Sequence, residues 1–259
     1  MILEGKIVVV SGIGPGLGTA LAERAAQEGA SLAICARTPA KLDECRARIG
    51  DGAEVLAVPT DITEPEQCDA LVAATMARFG RMDVLINSAY VTGEYAPAET
   101  ADLAEWRKAL DVNLFGTMNM IRAATPHMRA AGGGSIVNVN TKVARMPHET
   151  LGGYAVSKAA LRMATTQLAK ELGPDGIRLN SVFPGWMWGK TVREGLVQQA
   201  AAEGRTPEDI RDEIAQALAL KRMPTDVECA KAVLALASDY FTATTGACLD
   251  LSAGEYLPL

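Results

Sequence analysis

Short runs rich in Val and Ile, bounded by Gly, Asp or Asn, alternate with segments of helical period along the whole chain. This alternation constrains the fold more than any other feature. The runs fall at 6–10, 31–35, 53–58, 83–86, 134–139, 177–182 and 248–251, which predicts seven strands. Helices are expected at 17–28, 39–49, 64–79, 154–172, and 103–129 with a break near Gly116. Strand, helix, strand repetition with right-handed crossovers builds a mostly parallel sheet covered on both faces, so a doubly wound α/β fold is expected. With 259 residues and an apolar fraction of 49%, the chain is expected to form one domain over 1–259, and a disordered chain is excluded.

One stretch departs from the alternation. Residues 186–226 contain no strand, and Thr206, Pro207, Glu208 and Asp209 read as a helix start with Pro at the first helical position. Insertions of this length in compact domains commonly form lids or binding loops, so a helical substrate flap is expected, with a peripheral hairpin as the alternative.

Charge and cysteine content narrow the function classes. The formal charge of −6 disfavours nucleic acid and anionic lipid as partners. The longest uncharged stretch, 7–22, contains four glycines and a proline and is too short to span a bilayer, so no membrane segment and a cytoplasmic location are expected. Five cysteines without C-x-x-C pairs, and two isolated histidines, imply reduced structural thiols and no metal site.

The first strand runs into Ser11, Gly12, Ile13, Gly14, Pro15, Gly16, Leu17 and Gly18, followed directly by a helix. Glycine here permits positive φ, lets the backbone approach a pyrophosphate, and allows close helix packing at Gly18. The helix N-terminus then offers free N–H groups to phosphates. Leu17 stands where G-x-G-x-x-G would place its last glycine, yet the position between strand and helix predicts dinucleotide binding. Where an acidic residue would hold a free ribose 2′-hydroxyl, the chain has Ala36, then Arg37 and Thr38. A guanidinium and a hydroxyl suit a 2′-phosphate, so NADP(H) is expected over NAD(H). Asp61 reads either as an acceptor for the adenine amino group or as a helix N-cap ahead of Glu64.

Tyr154 and Lys158 stand four apart on one helix face, a spacing that lets an ammonium lower the pKa of a phenol. Thirteen residues before Tyr154, the fifth strand ends in Asn138, Val139, Asn140 and Thr141, which brings a hydroxyl to the carboxyl edge of the sheet.

In these features the chain resembles the short-chain dehydrogenase/reductase family over nearly its whole length. The turn at Gly12, Gly16 and Gly18 looks like the family's cofactor turn, and Asn87-Ser88-Ala89-Tyr90 resembles its Asn-Asn-Ala-Gly motif. Tyr154 and Lys158 match its Tyr-x-x-x-Lys, Pro184 and Gly185 its motif after strand six, and Thr245, Gly246 and Asp250 its last strand. The resemblance implies a Rossmann-type fold and an NAD(P)(H)-dependent alcohol dehydrogenase or carbonyl reductase. Tyr154 would be the acid and base, Lys158 the ribose ligand, and Asn113 part of a proton relay. It also implies a cofactor bed of Ser11, Gly12, Gly14, Pro15, Gly16, Leu17 and Gly18, with Arg37, Thr38, Asp61, Ile62, Asn87, Ala89 and Lys158. After strand six this bed would add Pro184, Gly185, Trp186 and Thr191.

The chain departs from the family pattern in three places. Thr141 replaces the catalytic Ser, Tyr90 replaces a Gly, and Gly189 stands where a cofactor-binding Thr is common. A threonine keeps the hydroxyl, so Thr141 is expected to bind the substrate oxygen. Tyr90 and the run Trp186, Met187, Trp188 suggest an apolar pocket for a small carbonyl or alcohol. A homotetramer is implied by the resemblance and by the apolar content of the helices at 103–129 and 154–172. The alternative functions are a dinucleotide-binding regulator or assembly protein without turnover, and an epimerase or dehydratase.

Overall fold

The computed structural model describes residues 1–257. Seven strands form one sheet, β1 (Ile7–Ser11), β2 (Ser31–Ala36), β3 (Val55–Pro59), β4 (Val84–Asn87), β5 (Gly134–Val139), β6 (Ile177–Pro184) and β7 (Cys248–Leu251). Their spatial order is β3-β2-β1-β4-β5-β6-β7 and every pairing is parallel. This is the expected doubly wound α/β fold, and all seven carboxyl ends lie on one edge, where such folds bind ligands.

The period of two along β1 divides the core. Val8 and Val10 pack with Leu21 and Ala25 of α1 (Leu17–Gln27), Leu42 of α2 (Pro39–Ile49) and a set of alanines and valines further along the chain. Val9, between them, faces the other side, toward Leu71 of α3 (Pro65–Phe79) and residues of the helices that follow β4 and β5.

The predicted helix over 103–129 is interrupted at the expected place, in the turn that ends at Gly116. It consists of α4 (Leu103–Leu110), a π-helical turn (Asp111–Gly116) and α5 (Thr117–Ala130). Gly116 closes the turn because a Cβ there would sit 2.7 Å from Ile62 Cγ1. The helix over 154–172 begins slightly earlier, as α6 (Gly152–Leu172).

Residues 186–226 contain α7 (Lys190–Glu203) and α8 (Pro207–Ala217). The Thr206 start signal is realised as a reciprocal capping box with Asp209. Leu196, Ala200 and Ile210 give the two helices a small core of their own, with Trp188 packed against it.

The sequence reading lacks α9 (Asp226–Ala237), whose Ala230, Val233 and Leu234 join the core beside α1. Its signal is a second capping box, Thr225 with Glu228. Among the described residues, no helix is long and apolar enough to cross a membrane and no group of side chains has the makings of a metal site. Cys35, Cys45, Cys68 and Cys229 are buried, and burial pushes their thiols up to about 11 or 12.

Candidate active site

The glycine turn is held by backbone contacts that admit no side chain. Gly12 has φ +96°, and a Cβ there would overlap the Ala89 backbone nitrogen and lie 2.7 Å from the Ser88 carbonyl carbon. A Cβ on Gly18 would overlap the Gly12 carbonyl oxygen, so α1 packs against the turn with nothing between them. Thr19 Oγ1 donates to Gly14 O at 2.6 Å and fixes the middle of the loop. Gly14 has open space on its Cβ side and Pro15 is exposed, while Leu17 is buried as the first residue of α1. Gly16 caps α1 without any side-chain hydrogen bond, which leaves the helix N-terminus to the edge of the sheet.

Neighbouring strand ends complete this bed. Ser11 and Asn87 are buried partners in the register of β1 and β4. Asn87 Nδ2 donates to Asn138 Oδ1 at 2.9 Å, and its own Oδ1 is buried with no partner among the described residues. A closed shelf of backbone with an unanswered buried acceptor beside it fits a dinucleotide, which supplies hydroxyl and amide donors.

Arg37 and Thr38 are exposed at the end of β2, and Arg37 forms no ion pair among the described residues. Asp61 Oδ1 accepts from Thr63 N at 3.0 Å and Thr63 Oγ1 at 2.8 Å, whereas the N-cap of α3 is Glu64. Asp61 therefore closes a local turn, and the helix-cap alternative is set aside. Ile62 is buried against Gly116.

The Tyr, Lys pair is arranged differently from the coupling expected of its spacing. Lys158 is buried, and its Nζ donates to Val139 O at 2.8 Å. Burial pushes the Tyr154 hydroxyl well above its ordinary value; the nearby Tyr90 adds to this, and a hydrogen bond with Thr141 opposes it. No lowering by Lys158 appears, because desolvation of the phenol outweighs an amine directed at a carbonyl. The expected depression of the Tyr154 pKa is thus corrected. Thr141 nonetheless lies close enough to Tyr154 to act on its phenol at the carboxyl edge, and the Tyr90 ring stands 6.0 Å from that of Tyr154.

Supporting amides hold this corner in place. Asn140 accepts from Thr141 N at 3.0 Å and donates to Lys158 O at 3.1 Å, linking the strand end to α6. Asn113, in the π-helical turn, accepts from Val91 N and donates to Val91 O and Ser157 Oγ, each at 2.9 Å. It thereby pins the segment that carries Tyr90. Asn138, Asn140 and Ser157 are absent from the sequence-derived site, although polar residues at the end of a buried strand are a readable signal.

After β6, Pro184 and Gly185 pack under the C-terminal segment, with Glu255 Oε2 and Ser252 Cα each 3.0 Å from a Cβ position on Gly185. The aromatic run splits three ways. Trp186 lies under Lys142, which is ion-paired with Glu255; Met187 joins the main core, and Trp188 joins that of α7 and α8. The segment after β6 thus carries charge beside its aromatic surface. Thr191 reaches the glycine turn, its Oγ1 3.5 Å from a Cβ position on Gly16. A Cβ at Gly189 would overlap the Asp226 carboxylate, so a side chain there would require that carboxylate to turn aside.

Burial pushes the Lys158 amine from its usual 10.5 to about 7. Between these values the unfolded chain holds a proton that the folded chain releases, so stability rises with pH across that window. Relative to Lys158→Met, the wild type should gain thermal stability from about pH 7 to about pH 10 and show no relative change below it, as paired thermal melts will report.

A sequence profile described as enoyl-(acyl carrier protein) reductase matches residues 12–255. The cis-4-hydroxycyclohexanecarboxylate dehydrogenase of Sinomonas cyclohexanicum is 32% identical over 249 residues, 96% of either chain. L-Sorbose reductase from Gluconobacter frateurii, in complex with NADPH and L-sorbose, superposes with a TM-score of 0.94 at 29% identity over 100% of both chains. NAD+-bound xylitol dehydrogenase superposes at 0.90 with 25% identity, over 98% of this chain and 100% of that one. The likeness runs the length of the chain, and the protein belongs to the short-chain dehydrogenase/reductase family of NAD(P)-dependent oxidoreductases.

Proposed function

We propose that the protein interconverts a secondary alcohol and a carbonyl compound, with NADP(H) preferred and Tyr154 as general acid and base. The observation that carries this reading is Tyr154 with Thr141 close by, one helical turn before buried Lys158, on the edge that also carries the glycine turn. The bound nicotinamide supplies the hydride chemistry. Burial keeps the Tyr154 phenol protonated, which suits it to give its proton to a carbonyl oxygen during reduction. Thr141 donates a second hydrogen bond to that oxygen as charge develops on it. Lys158 and the glycine turn hold the cofactor. The Asn113 amide is engaged with Val91 and Ser157, and its main-chain carbonyl accepts from Thr117 Oγ1 at 3.0 Å, so Asn113 holds the Tyr90 segment against α6.

Four finer readings accompany this one. The exposed, unpaired Arg37 supports NADP(H), whereas the two similar structures bind NADPH in one case and NAD+ in the other. Tyr90 and Trp186 support a substrate with an apolar body. The self-contained core of α7 and α8 supports a lid, and Phe115, Val156 and Met163, exposed on the long helices, support a homotetramer. Hydrogen exchange across 186–226 that is unchanged by both ligands would remove the lid, and a monomer by light scattering would remove the tetramer. The regulator and epimerase alternatives are not favoured by relatives named as dehydrogenases and reductases.

Turnover is read from substrate-dependent change in reduced-nicotinamide absorbance against a panel of ketones and alcohols. With a turned-over substrate, Thr141→Val should lose about 10² to 10³ in rate, as expected for one donor aimed at a developing oxyanion. Thr141→Ser should stay within about tenfold of the parent, because the donor remains. Tyr154→Phe should be worse than either; full activity in Thr141→Val would make that residue structural. Arg37→Asp should weaken NADPH and strengthen NADH by about tenfold or more in binding titrations, and a wild type that already prefers NADH would overturn the ribose reading.

A further inference from the structure

The Asp226 carboxylate opens α9 at the place where the phosphate-binding turn faces the segment after β6. Both of its oxygens lie 3.9 Å from the Cβ position on Gly16, on the same side as Thr191 Oγ1. Its Cγ is 2.6 Å from the Cβ position on Gly189, so the carboxylate occupies space that a side chain there would fill. No donor among the described residues answers it, and burial alone pushes its carboxyl up.

We propose that Asp226 limits dinucleotide affinity: its negative charge opposes the pyrophosphate at the N-terminus of α1, so that the cofactor dissociates faster and binds at full strength only when this carboxyl is protonated. The inference rests on the reading of the glycine turn as the pyrophosphate site.

The groups around Asp226 offer no compensating cation. Gly16 and Leu17 of α1 carry no charge, and neither do Gly189 and Thr191. Lys190 Nζ lies 3.9 Å from Glu194 on its own helix. Tyr90, from the loop after β4, feels Asp226 as a like charge that helps hold its phenol protonated. On α9, Asp226 and Glu228 both help hold the Cys229 thiol up, and Glu228 is paired with Arg222 at 2.8 Å. Lys158, whose amine burial pushes down to about 7, is common to the wild type and any Asp226 variant and cancels in their ratio.

The test is the dissociation constant and off-rate of NADPH and NADH, by fluorescence titration and stopped flow on the full chain, for wild type and Asp226→Asn. Asp226→Ser serves as a second variant should the first fail to fold in a thermal melt. Removing a charge beside a phosphate should tighten binding by about tenfold or more at neutral pH, mainly through a slower off-rate. The ratio of wild-type to variant constants should fall toward one as pH is lowered and the wild-type carboxyl takes up its proton. An unchanged or weakened affinity in both variants, or a gain independent of pH, would overturn the proposal. If no protein bound either dinucleotide, the reading of the glycine turn would fall first and the proposal with it.

Discussion

Lys158 lies inside the protein with its amine 2.8 Å from the Val139 carbonyl, and the rest of the reactive corner is arranged around that bond. It joins α6 to the end of β5, and Tyr154 stands one turn earlier on the same helix. Asn140 adds a second tie between the same two elements, from Thr141 N to Lys158 O. Thr141 and Tyr154 therefore stay close because the backbone segments carrying them are tied together. Burying an amine opposes folding whenever the amine is charged, and the corner carries that penalty as part of its chemistry.

The parallel sheet supplies the other half of the arrangement. Seven strands with all carboxyl ends on one edge bring Ser11, Asn87, Thr141 and Gly185 together from widely separated positions in sequence. The Asn87–Asn138–Thr165 hydrogen bonds run beneath that edge and bind β4, β5 and α6 into one block. These buried amides specify which strands lie side by side, and the Asn87 Oδ1 is left as the one acceptor of this hydrogen-bonded series without a partner among the described residues.

Strand positions were legible because a fully buried parallel strand must be a short apolar run, and 134–139 and 248–251 match the observed β5 and β7 to the residue. The glycine turn was legible because positive φ and backbone contact leave few alternatives to Gly12 and Gly18. Helix α9 escaped notice because its alanines and valines lie in a long stretch where only Thr225 and Glu228 mark a start. The Tyr154 environment was not readable at all. Spacing along a helix shows that two side chains share a face, but the direction of the Lys158 amine and the desolvation of the phenol depend on strands brought in from elsewhere. Asp226 and Glu255 were hidden for the same reason, each reaching the site across the fold.

The contact between Gly189 and Asp226 also limits how this protein can diverge. A side chain at 189 has room only if the carboxylate turns aside or gives way to a smaller residue at 226. The two positions are therefore coupled, and a change at 189 also moves the charge that stands beside the glycine turn.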